Sequence, residues 1–368
     1  MRKIAVVAAG GTGGHLFPAQ ALSEALIARG WRIVLASDER AAAFAGNFPA
    51  EERIGLSART FKSGDPIGMA LAGLAIFRGI LQARSAFARI DPGVVIGFGG
   101  YPSVPGLLAG VTQNRPTVLH EQNAVMGRAN RRMASHVRAV ACAFPALQKA
   151  PSKIAPKLVV VGNPVRPEIR ALFDEPYLPP EPNGELRLLI TGGSQGARLL
   201  SELMPAAIAK LPESLRDRLR VQQQTRPESL DDARRIYADA NVQAEIAPFF
   251  RDMAGRLRQA HLVVGRSGAG SVCEFAIAGR PAVLVPLAIA LDDDQGQNAK
   301  VMADAGGAEV AREGQLTVDT MSNALAKLLS NPSRLTRMSA GARSIAVPDA
   351  AERLADLVEA TAAQGRGL

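Results

Sequence analysis

One of the four histidines follows a glycine cluster near the N-terminus, in the stretch AAGGTGGHLFPA at residues 8–19. The cluster comes directly after a short apolar run that predicts a buried strand, and open α/β sheets place their ligands at the carboxyl ends of strands. His15 could there take a proton from a hydroxyl nucleophile. The glycines would let the backbone approach an anion, and the following helix would offer its N–H groups. The alternative is a tight turn that binds nothing, with a histidine that is only structural. A structural role is the interpretation we favour for His136 and His261.

This loop fails two standard nucleotide-binding patterns. No Lys-Ser or Lys-Thr pair follows the glycines, so it is not a P-loop. Leu16 stands where a dinucleotide fingerprint has its third glycine, which makes Asp38 and Glu39 weak evidence for a ribose contact. The phosphate that the loop would hold therefore stays open at this point.

Three further polar or glycine-rich stretches follow predicted strands in the first half of the chain. They read GFGGYPSVPG at 97–106, HEQNAVMGRANR at 120–131 and GNPVR at 162–166. Loops of this kind, held by a rigid sheet, more often bind ligands than merely connect elements. Arg166 in the last stretch could reach a phosphate or a carboxylate.

The second half contains GGSQGAR at 192–198 and the longer stretch GRSGAGSVCEFAIAGRPAVLVP at 265–286. Backbone N–H groups at 269–271 could hold a diphosphate at a helix N-terminus. The Glu274 carboxylate would repel phosphate at close range and suits two vicinal hydroxyls, such as a ribose diol. A favourable helix N-terminal charge is the alternative for Glu274.

The segment LDDDQGQNAK at 291–300 allows two interpretations. Its three aspartates could ligate a magnesium–diphosphate. We favour a helix start capped by acidic residues, with Asp294 and Gln295 facing a neutral sugar.

Short apolar runs alternate with helical periodicity along the whole chain, which indicates parallel sheets built from βαβ units. The pattern restarts after a proline-rich connection at 176–183: AVVAAGGTGGHLF and RLLITGGSQGARLL share a strand, a glycine turn and a helix. The sequence therefore predicts two similar doubly wound domains. Strands are expected at 3–8, 33–36, 94–97, 117–120, 137–142, 158–161, 186–191, 220–224, 244–248, 262–265 and 282–285, and helices at 18–29, 67–89, 252–259, 297–305, 318–329 and 350–362.

Composition narrows the class of protein. The formal net charge of +9 suits an anionic partner, either nucleic acid or a membrane surface, and 4% aromatic residues argue against binding to single-stranded nucleic acid. Two distant cysteines favour a reducing cytosol. We expect no signal peptide, because the apolar run at 4–9 is short and ends in a glycine cluster. We expect no membrane-spanning helix, because the apolar stretch at 93–114 is rich in glycine and proline. The amphipathic segment 66–89 could pack its apolar stripe on the core or rest on an anionic membrane surface.

Taken in order, these motifs resemble the MurG family, the bacterial N-acetylglucosaminyltransferases of peptidoglycan synthesis. The resemblance covers nearly the whole chain and implies the α/β GT-B fold, with two Rossmann-like doubly wound parallel-sheet domains and a deep interdomain cleft. It implies an acceptor- and membrane-facing domain at 1–163, a donor-binding domain at 164–345, and a C-terminal helix at about 346–368 that packs back on the first. The implied reaction moves GlcNAc from UDP-GlcNAc to the 4-hydroxyl of MurNAc in lipid I, with inversion, and gives lipid II and UDP.

The resemblance also assigns site residues. His15 is the candidate catalytic base. The acceptor-side residues would be Gly10, Gly11, Gly99, Gly100 and Tyr101. The donor-binding residues would be Thr12, Gly13, Gly14, Asn123, Arg166, Ser194, Phe250, Ala269, Gly270, Ser271, Val272, Cys273, Glu274, Asp294 and Gln295. The backbone of Phe250 would contact the uracil base.

The expected partners are UDP-GlcNAc, lipid I and an anionic membrane surface, with other cell-wall or division proteins as further candidates. No nucleic acid, no required cofactor and no metal, Mg²⁺ included, are expected. The predicted location is peripheral, on the cytoplasmic face of the inner membrane, in a pathway that serves cell shape and division. Three rivals remain: another GT-B enzyme such as a UDP-sugar 2-epimerase, a dinucleotide-binding oxidoreductase, and a basic nucleic-acid-binding module.

Overall fold

A computed structural model of the chain describes residues 3–10, 13–38, 48–58, 66–193, 196–288 and 292–364. The chain divides into two compact units. Unit 1 contains residues 1–166 and 349–368, and unit 2 contains residues 167–348. Each unit is built on one parallel sheet, which confirms the predicted fold class.

Among the described residues of unit 1, seven strands form one sheet in the order β3-β2-β1-β4-β5-β6-β7. Its register places Val7, on the third strand in this order, between Leu35 and Ile96 on the neighbouring strands. The strands are β1 (Ile4–Ala8), β2 (Arg32–Ser37), β3 (Glu52–Gly55), β4 (Val94–Gly97), β5 (Thr117–Glu121), β6 (Ala139–Cys142) and β7 (Leu158–Val160). The helices are α1 (Gly13–Ala28), α2 (Pro66–Ile90), α3 (Val104–Thr112) and α4 (Arg128–Met133), joined by the C-terminal helix α14 (Ala350–Gln364).

Both faces of this sheet are buried, because successive residues of an apolar strand point to opposite sides. Ala5 and Val7 pack in one cluster with α1 and α14, whereas Val6 and Ala8 pack in another with α2. The C-terminal helix therefore completes the core of unit 1. Arg29 fixes it in place with side-chain hydrogen bonds of 2.6 Å to Asp356 and 2.6 Å to Glu352.

The sheet of unit 2 has six strands in the order β10-β9-β8-β11-β12-β13. They are β8 (Leu186–Thr191), β9 (Leu219–Gln224), β10 (Gln243–Ala247), β11 (Leu262–Gly265), β12 (Ala282–Leu284) and β13 (Ala308–Val310). The helices are α5 (Pro167–Arg170), α6 (Arg198–Ala209), α7 (Glu213–Arg216), α8 (Leu230–Asp239), α9 (Met253–Gln259), α10 (Ala269–Ala278), α11 (Asp294–Asp304), α12 (Val318–Leu329) and α13 (Pro332–Ser344).

Several elements differ from expectation. Helices α3, α8 and α13 were not predicted, and α11 begins at Asp294 rather than Gln297. The short strands β3 and β13 were not predicted, since each offers only three or four residues of weak alternation at a sheet edge. The first helix begins at Gly13 rather than Pro18. His15 consequently lies on the first turn of a helix and not in an open turn.

Helix α2 divides its apolar residues between two sides. Ala83, Phe87 and Ile90 are buried in the core of unit 1, while Leu74, Phe77 and Leu81 are 64%, 58% and 51% exposed. One apolar face of the helix therefore packs on the core, as the first interpretation predicted, whereas the other face is exposed. Within the described ranges, no helix is long and apolar enough to span a bilayer.

Candidate functional site

In unit 1, glycines allow the loops after neighbouring strands to meet at the carboxyl edge of the sheet. A Cβ atom at Gly10, after β1, would lie 2.8 Å from Oδ1 of Asp38, after β2, and 2.9 Å from Cβ of Pro102, after β4. Contacts that close leave no room for a side chain at residue 10. The predicted acceptor-side residues Gly10, Gly99, Gly100 and Tyr101 therefore lie on adjoining loops.

His15 lies against this group of loops. A Cβ atom at Gly100 would come within 3.4 Å of its Nε2 atom. Burial lowers the pKa of His15 below its usual value, while interactions with the Phe98 carbonyl and the Gln122 side chain act in the opposite direction. The imidazole is therefore neutral at pH 7 and has a lone pair available to accept a proton.

His120 lies behind this edge as a second neutral histidine. Burial lowers its pKa to about 4, against a smaller opposing contribution from the Gly162 carbonyl. The ring nitrogen Nε2 lies 3.0 Å from that carbonyl oxygen. This hydrogen bond ties β5 to the stretch that leads to Arg166, so the role of His120 in this arrangement is structural.

Glu121 organises the loop that carries Asn123. Its carboxylate accepts hydrogen bonds from the Asn123 N–H at 2.9 Å, the Gly127 N–H at 2.9 Å and the Asn130 amide at 2.8 Å. Burial raises the pKa of Glu121 above its usual value, against the smaller opposing effect of these hydrogen bonds. The side chain is 2% exposed, so it acts by holding the loop rather than by direct contact with a ligand.

Arg166 lies over the ring of Phe17 on α1, with its guanidinium carbon 4.9 Å from the ring centre. This cation–π contact brings Arg166 close to the first turns of the helix that carries Gly13, Gly14 and His15. Two predicted residues of this unit, Gly11 and Thr12, lie outside the described residues, as does Ser194 in unit 2.

In unit 2, the predicted diphosphate segment forms the start of a helix. Helix α10 begins at Ala269, and its N-cap residue Gly268 supplies no side-chain hydrogen bond to the first turn. The backbone N–H groups at such a helix start favour the binding of an anion. Ala269, Gly270, Ser271, Val272, Cys273 and Glu274 all lie in the first two turns of this helix.

Gln224, which the sequence analysis did not single out, connects the loops around this helix start. Its Oε1 atom accepts from Thr191 Oγ1 at 3.0 Å and from the Gly192 N–H at 3.1 Å, and its Nε2 atom donates to the Pro248 carbonyl at 3.2 Å. The side chain is 5% exposed. Three successive glutamines at the end of a strand are the signal that could have revealed it.

The predicted base-binding position, Phe250, has a buried side chain. The ring is 4% exposed and lies under the guanidinium of Arg256, whose central carbon is 3.7 Å from the ring centre. A ligand could therefore reach Phe250 only through its backbone, which is the contact that the resemblance implies for uracil.

The aspartate run lies at the start of α11. Arg312 binds Asp293 with hydrogen bonds of 2.7 Å and 3.3 Å and lowers the pKa of that carboxyl group. Asp294 begins the helix, and Gln295 follows on its first turn. Within the described part of the chain, no three His, Cys, Asp or Glu side chains form a set that could hold a metal ion. Independence from metal remains a prediction.

Known proteins resemble the chain over its whole length. Residues 5–142 match the N-terminal domain of glycosyltransferase family 28, and residues 187–354 match the C-terminal domain of the same family. A Phenylobacterium zucineum protein is 74% identical over 98% of this chain and 99% of its own length. It is named UDP-N-acetylglucosamine–N-acetylmuramyl-(pentapeptide) pyrophosphoryl-undecaprenol N-acetylglucosamine transferase, as is a Caulobacter vibrioides protein that is 63% identical over 98% of this chain and 100% of its own.

Solved structures agree with this assignment. The crystal structure of Acinetobacter baumannii MurG is 30% identical with a TM-score of 0.78, covering 97% of this chain and 99% of that one. A Neisseria meningitidis UDP-GlcNAc 2-epimerase has a TM-score of 0.66 at 13% identity, covering 97% of this chain and 99% of that one. This likeness shows the fold alone. The chain belongs to glycosyltransferase family 28 and, within it, to the MurG family of N-acetylglucosamine transferases.

Proposed function

We propose that this chain transfers N-acetylglucosamine from UDP-GlcNAc to the 4-hydroxyl of the muramoyl sugar in lipid I, giving lipid II and UDP. The observation that carries the proposal is 74% identity over 98% of the chain to a protein named for that transfer. The epimerase rival is not favoured, because the epimerase likeness extends to the fold alone.

The reaction inverts the anomeric carbon, so the acceptor oxygen must attack in line while UDP departs. His15, held neutral by burial, accepts the proton of the attacking hydroxyl. The loops that carry Gly99, Gly100 and Tyr101 bound the acceptor side of this histidine. Fixed loops of this kind align the hydroxyl without further ordering during the reaction.

Unit 2 holds the donor in this proposal. The N-terminus of α10 stabilises the diphosphate, whose negative charge increases as UDP departs. Glu274 accepts from the ribose hydroxyls, the backbone at Phe250 reads the uracil, and Asp294 and Gln295 bind the sugar. Asn123 and Arg166 of unit 1 contribute to donor binding. The charge on the diphosphate is met by protein groups, so the proposal requires neither a metal nor a cofactor.

The enzyme binds the membrane surface through the outward face of α2, which we call the α2 patch: Met69, Leu71, Leu74, Phe77 and Leu81. These side chains are between 44% and 64% exposed. The helix sequence contains no acidic residue and contains Arg78, Arg84 and Arg89. An exposed apolar face flanked by positive charge suits an anionic bilayer surface, and lipid I would be presented there from the cytoplasmic leaflet. Contacts with other cell-wall or division proteins rest on the family resemblance alone.

A coupled assay for UDP release tests the function. The protein is incubated with UDP-GlcNAc, with and without a lipid I analogue. We expect UDP only when the acceptor is present. UDP release at the same rate without acceptor, or epimerisation of UDP-GlcNAc, would refute the proposal.

A further inference from the structure

A buried ion pair in unit 2 holds the segment 285–288, which follows β12. The guanidinium of Arg266 donates to the Val285 carbonyl at 3.1 Å and the Pro286 carbonyl at 3.4 Å, and it also binds Oε1 of Glu313. The Arg266 and Glu313 side chains are only 10% and 16% exposed. The other Glu313 oxygen, Oε2, accepts from the Ala288 N–H at 2.7 Å. Both ends of the segment are therefore fixed by one pair of side chains.

The same segment determines how Gln295 is oriented. The Leu287 N–H donates to Oε1 of Gln295 at 3.1 Å. A backbone N–H can only donate, so the atom that it meets must be the amide oxygen. The Nε2 group of Gln295 makes no hydrogen bond to any described residue. Gln295 therefore presents a donor, and not an acceptor, to whatever binds beside it.

We propose that Glu313 is a positioning residue for donor-sugar recognition: it orders segment 285–288 through Arg266 and Ala288, and Leu287 then holds the Gln295 amide with its N–H groups toward the sugar. This rests on the proposed function, in which Gln295 contacts the sugar of UDP-GlcNAc. The role assigned to Glu313 is indirect: its Oε1 atom binds Arg266 and its Oε2 atom accepts from the Ala288 N–H, so it acts through the segment. The sugar atom that meets Gln295 must accept a hydrogen bond, as a hydroxyl oxygen does.

Calorimetric titration of Glu313→Gln with UDP-GlcNAc, and separately with UDP, tests this role. The substitution keeps the size of the side chain but removes the charge that pairs with Arg266. We expect the dissociation constant for UDP-GlcNAc to rise roughly three- to tenfold, the effect of one hydrogen bond. The constant for UDP should stay unchanged, because the nucleotide binds at α10. A substitution that merely loosens unit 2 would weaken both ligands alike.

Two further variants sharpen the test. Glu309→Gln on β13 removes a partly buried ion pair with Arg334 of α13, whose side chains are 33% and 30% exposed, and should leave both dissociation constants unchanged. Combining Glu313→Gln with Gln295→Ala should weaken UDP-GlcNAc binding no more than Gln295→Ala alone, because residues that act through one contact are not additive.

Glu313→Asp keeps the charge on a shorter side chain. It replaces Glu313→Gln in the titrations if that variant fails to fold. It should weaken UDP-GlcNAc binding but not UDP binding, and by a smaller factor than Glu313→Gln. Unchanged UDP-GlcNAc affinity, an equal loss of UDP affinity, or full additivity with Gln295→Ala would overturn the positioning role. Failure of the unsubstituted protein to bind UDP-GlcNAc would instead refute the proposed function.

Discussion

Gly100 and His15 are in close proximity at the carboxyl edge of the first sheet: a Cβ atom on the glycine would lie 3.4 Å from Nε2 of the imidazole. The glycine also has a φ of 71°, a conformation that residues with a side chain rarely adopt. The loop after β4 therefore fixes the position of the candidate base, and the absence of a side chain at residue 100 is part of that geometry.

Gly100→Ala is expected to lower kcat by about tenfold or more, because a residue with a side chain is strained at this positive φ and the loop that packs against His15 would shift to relieve the strain. UDP affinity should not change, since the proposal places the nucleotide on unit 2. Steady-state kinetics and a UDP titration provide the two readouts. Gly73→Ala on α2, where an added Cβ meets nothing within 4 Å, is the control and should retain full turnover. Full turnover in Gly100→Ala would contradict the proposed packing of the base.

His15→Ala should reduce kcat by at least about 100-fold, the usual contribution of a general base, while donor affinity changes little. The unsubstituted enzyme must keep His15 neutral, and burial places its pKa below 6.5. Turnover should therefore be constant from neutral to mildly alkaline pH and fall as the pH drops through that lowered pKa. The exposed His136 provides the control, since His136→Ala should leave both kcat and the pH profile intact. A profile whose acid limb persists in His15→Ala would assign the base elsewhere.

Glu274→Gln should weaken UDP binding by roughly tenfold or more, because a hydrogen bond to a charged group is worth about 1.5–3 kcal/mol. Affinity for free diphosphate should be unaffected or slightly higher, since the negative charge beside it is gone. Titration with UDP and with diphosphate separates these effects. Glu202→Gln on the surface helix α6 is the matched control. Equal affinity for UDP in Glu274→Gln and the unsubstituted protein would eliminate the ribose contact.

The α2 patch gives a membrane-binding prediction. Phe77→Ser should reduce binding to vesicles of anionic lipid by roughly tenfold, since one exposed aromatic side chain loses its burial in the bilayer surface. Leu178→Ser, at an exposed apolar position of unit 2 outside helix α2, should not change vesicle binding. Turnover with a water-soluble acceptor analogue should be equal in both variants. Unaltered vesicle sedimentation of Phe77→Ser would show that another surface meets the membrane.

The sequence was most informative where local pattern decides structure. The repeated combination of an apolar strand, a glycine turn and a helix predicted both sheets, and helix Ala269–Ala278 begins in the glycine-containing stretch 265–286 where the sequence indicated a helix N-terminus. Edge strands such as Glu52–Gly55 were missed because their few residues carry little alternation and depend on pairing with a neighbouring strand.

Hydrogen bonds between residues that are far apart in the sequence could not be predicted from the sequence. Arg266 meets a glutamate 47 residues away, and the Gln224 side chain joins loops that no spacing rule connects. Such pairs are set by tertiary packing, so the residues that orient a site are harder to predict than the loops that carry it. The same limit applies to His15. Its location after the first strand was predicted from the sequence, but its location on the first turn of a helix was not.

The linkage in the product is the most direct test of the account. UDP-GlcNAc and a lipid I analogue are incubated with the protein, and the new disaccharide is isolated and examined by proton NMR. The account predicts GlcNAc joined to the 4-oxygen of the muramoyl sugar with β configuration, formed in amounts equal to the UDP released. An α linkage, a different acceptor oxygen, or UDP release without a disaccharide would contradict it.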